Sequence, residues 1–258
     1  MKVTLIQTKL YWENSSKNFE HLNQVFSNLK PTDIIILPEM FSTGFTMNTK
    51  YAEEFRDNSE SISWMKDWSR KLNCAIVGSI STKVDNDYFN RLLFVKPDNT
   101  FSTYDKKHTF TFANEDKHYK SGDSKLIESL NGWNICPLIC YDLRFPVWSR
   151  NRVINGKPEY DLLIYVANWP SVRSNHWSSL LKARAIENQC YVIGVNRVGS
   201  DANGMIYSGD STLISPKGDV IWSLKDSEGV HQSEIKMVDL LDYRISFPVL
   251  MDADKFFI

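Results

Sequence analysis

Six short apolar runs, each bounded by polar or turn residues, constrain this chain more than anything else in it. They are VTLIQ (3–7), DIIILPE (33–39), CAIVGSI (74–80), NICPLIC (134–140), YDLLIYVAN (160–168) and CYVIGVN (190–196). Runs of this length, apolar on both faces and rich in Ile and Val, read as strands buried on both sides of a sheet. NICPLIC reads as a central strand, and its Pro137 predicts a bulge or an edge there, because proline cannot donate to a ladder.

Helical periods separate several of these runs. Phe19, Leu22, Phe26 and Leu29 recur at helical spacing, with Ser15 or Ser16 as the N-cap. Trp64, Met65, Trp68 and Leu72 mark a second helix, and Trp177, Leu180, Leu181 and Ala185 a third that starts near Ser174. Two segments read as hairpins: 88–107, turning at KPDNT, and 211–224, turning at PKGD. The last stretch, YRISFPVLMDADKFFI, is aromatic and shows no clear helical period. The class is α/β, and the hairpins make the sheet mixed. No linker, low-complexity segment or repeat interrupts the chain, which predicts one domain over 1–258.

The net charge of -1 offers no basic field for nucleic acid. No apolar run approaches membrane-spanning length, and the N-terminal one is too short for a signal peptide; a cytoplasmic protein is expected. Four cysteines (Cys74, Cys136, Cys140, Cys190) are not a disulfide framework in such a chain. Cys136-x3-Cys140 lacks the second ligand pair of a zinc site, so no metal and no cofactor is expected.

Chemistry in an α/β domain concentrates at strand ends. Glu39 follows IIILP, Lys106 follows the first hairpin, and Cys140 ends ICPLI. Singly, each has an ordinary explanation: a solvated loop acid, a surface lysine, a small buried hydrophobe. Together they make a chemical set. A thiol is a weak nucleophile at neutral pH until a base takes its proton. A carboxylate can do that, and an ammonium can hold the oxyanion formed at an attacked carbonyl. His108 and His118 offer a Cys–His dyad instead, without support from their flanks.

LPEMFSTGF (37–45), YDKKHTF (104–110), ICYDLRFP (139–146) and ARAIENQCYV (183–192) occur in this order over most of the chain, and together they resemble the nitrilase (carbon–nitrogen hydrolase) superfamily. The resemblance implies a Glu–Lys–Cys triad: Glu39 as general base, Lys106 as the cation and Cys140 as nucleophile. It assigns Glu115 as a second glutamate that supports the lysine; in the mechanism read from this set, the backbone N–H of Tyr141 is the second oxyanion donor. Cys136, on the same strand face as Cys140 by periodicity, is then packing beneath the site, and Cys74 and Cys190 are core. The implied fold is a four-layer α-β-β-α sandwich, two mixed sheets face to face with helices outside. The implied assembly is a homodimer through VWSRNR and residues 176–189, with the C-terminal tail reaching across.

CYDLRFPVWSRN, YVANWPSVRSNHW, ARAIENQ and NRVGSDANG resemble the omega-amidase branch, which hydrolyses the terminal amide of 2-oxoglutaramate and related 2-oxo acid amides, with water as co-substrate. Such a substrate carries a carboxylate. Arg173 is the expected cation for it, while Arg144 is read as structural, pairing with Asp142. Phe45, Trp169 and Trp177 are candidate pocket walls. Alternatives are a carbamoyl-amide hydrolase or a strict nitrilase of the same superfamily, and a non-catalytic binding scaffold.

Overall fold

Alternation along the buried strands decides the layers. The structure, a computed structural model, describes residues 1–254. In Lys2–Gln7, Ile34–Ile36, Ala75–Val84 and Asp87–Val95, one set of side chains (Val3, Leu5, Ile34, Ile36, Ala75, Val77, Leu92, Phe94) enters a large core shared with the second sheet. The intervening set (Ile6, Ile35, Ile76, Leu93, Val95) packs with Phe19, Leu22 and Phe26 of the helix Ser15–Phe26 and Ile62, Met65 and Trp68 of the helix Glu60–Leu72. Period-two strands buried on both faces thus produce helix, sheet, sheet and helix in layers.

The first sheet runs Gly229–Glu234, Lys2–Gln7, Ile34–Ile36, Ala75–Val84, Asp87–Val95, Phe101–Asp105, with the two-residue strand Glu53–Glu54 added to Ala75–Val84. The second runs Val198–Ser200, Ile206–Ile214, Tyr191–Asn196, Leu162–Ala167, Trp133–Ile139, Glu128–Leu130, with Val220–Lys225 on Ile206–Ile214. Both are mixed: Ile34–Ile36 is parallel to both neighbours, as is Leu162–Ala167, and the hairpins are antiparallel. The helix Ser174–Asn188 covers the second sheet. At Gly194 a Cβ would stand 2.5 Å from Leu181 Cδ1 and 2.7 Å from Trp177 Cζ2, so glycine there permits the close approach.

Pro137 is in register with Ile164, past the end of the short neighbour Glu128–Leu130, which pairs only Trp133–Ile135. Its missing N–H therefore falls on the unpaired side, the edge reading rather than a bulge. Two expectations change, and one strand is added that the sequence did not announce. Asn14, not Ser15 or Ser16, caps the first helix through its side chain to Lys17 N. Met237–Ser246 is a helix, with Leu240 as its buried residue. Gly229–Glu234 is an edge strand on Lys2–Gln7. The end of the C-terminal tail lies outside the described residues. Among the described residues, no helix is long and apolar enough to cross a membrane.

Candidate active site

Strand ends from both sheets meet at one place. Glu39 follows Ile34–Ile36, Lys106 follows Phe101–Asp105, Cys140 follows Trp133–Ile139 and Asn168 follows Leu162–Ala167. Two backbone positions here are left-handed: Met40 (φ 44) directly after Glu39, and Cys140 itself (φ 44). Non-glycine residues adopt this region only when their surroundings hold them there. At Cys140 the turn breaks the strand period. Cys136, in register with Leu163, stays on the face toward the helix Ser174–Asn188 and not beneath the sulfur. Burial pushes the Cys136 thiol up to about 12.

Asp142 fixes the nucleophile turn. Its carboxylate accepts from Ile139 N at 3.0 Å and Tyr104 OH at 2.7 Å, and from His108 N at 3.0 Å and His108 Nδ1 at 2.8 Å. One buried acid thus ties the Cys140 turn to the segment that carries Lys106. Arg184 Nη2 donates to Leu143 O at 2.6 Å, and Asn151 N donates to Asn188 Oδ1 at 2.9 Å. The ARAIENQ helix therefore clamps the same turn.

Lys106, Glu39 and Glu115 are fully buried. Lys106 Nζ lies 2.8 Å from Glu39 Oε1, and 2.9 and 3.1 Å from the two oxygens of Glu115. Asn90 Nδ2 donates to Glu39 Oε1 at 2.8 Å and to Glu115 Oε1 at 3.1 Å. Asn168 N donates to Glu39 Oε2 at 2.8 Å, and Asn168 O lies 3.9 Å from Cys140 Sγ. Burial acts to strip the Lys106 proton, but Glu115, Glu39 and Cys140 outweigh it and hold the ammonium above its ordinary value. Burial raises the Glu115 carboxyl, with Glu39 adding and Lys106 opposing. Burial also pushes the Cys140 thiol well up, Glu39 reinforcing this and Lys106 working against it. The resting sulfur is a thiol that a neighbouring base must deprotonate.

Cys140 opens into a cavity of about 570 Å³ that also receives Lys106, Phe45, Tyr141, Trp169, Arg173 and Arg144. The four expected binding residues are therefore together. Phe45 lies under the Lys106 ammonium, at 5.0 Å from ring centre to Nζ, and Arg173 rests over the Phe110 ring at 5.6 Å. Trp177 is not a pocket wall: it is buried behind Trp169, ring centres 5.4 Å apart. Arg144 does not pair with Asp142. Its guanidinium lies over Trp169 at 4.7 Å, with Nη2 3.1 Å from His176 Nδ1. Neither histidine forms a dyad with the thiol, since His108 is engaged by Asp142 and His118 is exposed. Asn90 and Asn168 escaped sequence reasoning. Asn168 ends a buried run, the same signal that marked Glu39; Asn90 is a buried amide in the strand segment FNRLLF, next to the charged Arg91.

The chain matches the carbon-nitrogen hydrolase family over residues 2–245. It is 44% identical over 257 residues to the omega-amidase YafV of Escherichia coli (strain K12), covering 99% of this chain and 98% of that one. It is 33% identical to a 2-oxoglutaramate amidase of Bacillus subtilis (strain 168), over 88% of this chain and 86% of that one. The crystal structure of XC1258 from Xanthomonas campestris, a CN-hydrolase superfamily protein with an arsenic adduct in its active site, superposes with a TM-score of 0.97 at 37% identity, covering 100% of this chain and 98% of that one. Family match, near-full-length relatives and superposition agree with the layered fold and with a thiol, an ammonium and two carboxylates gathered at one sheet edge: the chain belongs to the carbon-nitrogen hydrolase family.

Proposed function

We propose that this chain is an omega-amidase, releasing ammonia from the terminal amide of a 2-oxo dicarboxylic acid monoamide such as 2-oxoglutaramate or 2-oxosuccinamate. The observation that carries the reading is a cation without a carboxylate partner in the thiol's own cavity. Arg173 forms no ion pair among the described residues and rests on an aromatic ring, which leaves its fork free for a substrate carboxylate. The relatives named for omega-amidase and 2-oxoglutaramate amidase activity support the same reading.

In the proposed mechanism, Glu39 takes the Cys140 proton and the sulfur bonds to the amide carbon. The oxyanion is held by Lys106 and the Tyr141 N–H, which lies in the first turn of the helical segment Cys140–Arg144, where N–H groups lack intrahelical partners. Of the three Lys106 contacts, the longest, 3.1 Å to Glu115 Oε1, is the one to yield to the oxyanion. As the C–N bond breaks, Glu39 returns the proton to nitrogen and ammonia leaves a thioester. Water then gives a proton to Glu39 and its oxygen to the carbonyl carbon; the C–S bond breaks and the proton returns to sulfur. Glu115 holds Lys106 in place, and Phe45 and Trp169 wall the substrate chain.

Ammonia release from 2-oxoglutaramate, glutamine, an N-carbamoyl amino acid and a simple nitrile tests the assignment. The expected order puts 2-oxoglutaramate first, and ahead of the simple nitrile, which has no carboxylate for Arg173, by at least about 10-fold in kcat/KM, the size of one good charged contact. A leading nitrile or carbamoyl substrate would replace this reading with one of the alternatives.

A homodimer is part of the proposal, supported by exposed Val147 beside the nucleophile turn and exposed Ile186 on the helix Ser174–Asn188. Light scattering at the mass of one chain would reject it. Four free, buried cysteines support a reducing compartment, the cytoplasm, which cell fractionation tests.

A further inference from the structure

Two buried glutamates share one lysine, yet only one of them can serve as the base for the thiol. The hydrogen bonds separate them. A carboxylate offers about four lone-pair positions. Glu115 has four engaged: Oε1 accepts from Lys106 Nζ and Asn90 Nδ2, both at 3.1 Å, and Oε2 from Lys106 Nζ at 2.9 Å and Phe110 N at 2.5 Å. Glu39 has three engaged: Oε1 from Lys106 Nζ and Asn90 Nδ2, both at 2.8 Å, and Oε2 from Asn168 N at 2.8 Å. The position left open is on Oε2, the oxygen bound to the residue whose carbonyl lies 3.9 Å from Cys140 Sγ.

We propose that Asn90 is a positioning residue: by giving one amide proton to each glutamate, it leaves Glu39 Oε2 as the one carboxylate position able to receive the Cys140 proton. The proposal rests on the reading of Glu39 as the base. Asn90 is fully buried and its Oδ1 has no hydrogen-bond partner, so the side chain is held there through its donors alone. The reverse amide orientation would set Oδ1 against two carboxylates. Serine offers one proton, leucine offers none, and an aspartate would add a third buried acid. The other titratable groups around the two glutamates are Lys106, Cys140, Tyr119 and Tyr207.

Asn90→Leu keeps most of the volume and removes both donors. It opens Glu39 Oε1 and Glu115 Oε1 to protons, so the site becomes protonated at higher pH and the proton can settle on Glu115. The experiment is the rate of Cys140 alkylation by iodoacetamide as a function of pH, with the alkylated residue identified by mass spectrometry; it needs no substrate. The expected result is a wild-type acid limb that moves upward by about one pH unit or more in Asn90→Leu, since a hydrogen bond to a charged group is worth at least that much. Asn90→Ser, which retains one donor and is the milder change if the leucine variant does not fold, shifts it less but in the same direction. An unmoved limb in a folded variant, with the rate lowered equally at every pH, overturns the proposal and leaves Asn90 a packing residue. Wild-type Cys140 labelling no faster than buried Cys74 overturns the thiol–carboxylate reading itself, and this proposal with it.

Discussion

Cys140→Ala is expected to lose on the order of 10⁵-fold or more in kcat while still binding substrate. The alternative nucleophile would be water, which must attack the amide without a thioester to divide the barrier. Removal of a catalytic nucleophile commonly has an effect of this size, and what remains comes from binding and the oxyanion donors. The fold should be indifferent. Cys140 faces the cavity, so truncation enlarges a space already open and leaves no new void in the core. Alanine also tolerates the left-handed backbone at this position no worse than cysteine does. Ammonia release and the ligand-induced rise in melting temperature read the two halves: the first should vanish and the second persist. Retained turnover would remove Cys140 from the chemistry, and with it the Glu39 and Lys106 assignments.

Glu39 and Cys140 stand out in the sequence because each sits where a continuous apolar run ends, and such ends are where a parallel sheet presents functional groups; Lys106 follows the half-exposed strand FSTYD and is marked by the YDKKHTF motif alone. The same rule, applied to YVAN, reaches Asn168. Asn90 lies in the middle of a strand, where its only signal is an amide at a position that turns out to be buried. Arg144 was misjudged because Asp142 is close in sequence. Both lie in the helical segment Cys140–Arg144, and residues two apart in a helix do not face one another. Cys136 was misplaced for a related reason: strand alternation holds only while the strand continues, and Cys140 has already left it at φ 44.

The elements that were harder to read share weak burial. Gly229–Glu234 is a half-exposed edge strand of polar composition, GVHQSE, so no apolar period announces it. Met237–Ser246 buries Leu240 alone, too narrow a stripe for a helical period to stand out. The central strands were legible because the two-sheet core on one face and the covering helices on the other demand apolar side chains on both. The polar machinery lies at the edge of that core, and its partners come from residues far apart in sequence: 67 positions separate Lys106 from Glu39, and 129 separate Asn168 from Glu39.

Lys106→Met should inactivate the enzyme and also destabilise it, an outcome that sets it apart from Cys140→Ala. The ammonium is the sole side-chain cation within ion-pair distance of Glu39 and Glu115 among the described residues, both of which are fully buried. Taking one partner from a buried ion pair commonly costs about 3–5 kcal/mol, because a charge is left without compensation. For a chain of this size that corresponds to a fall of roughly 6–20 °C in melting temperature. The penalty must depend on pH, and its direction follows from Glu115. Burial already holds that carboxyl above its ordinary value of 4.5, and Lys106 is the group working against the rise. Without the lysine the folded-state value climbs further above the unfolded one. A group raised in this way contributes stability below its unfolded value and loses it as pH rises through the folded value. The deficit of Lys106→Met relative to wild type should therefore be smallest near pH 4.5 and grow toward neutrality. Urea melts of both proteins at acid and neutral pH measure it. A deficit constant with pH would mean that Glu115 and Glu39 do not depend on Lys106 for their charge, and the site would have to be held together by Asn90, Asn168 and the Phe110 N–H instead.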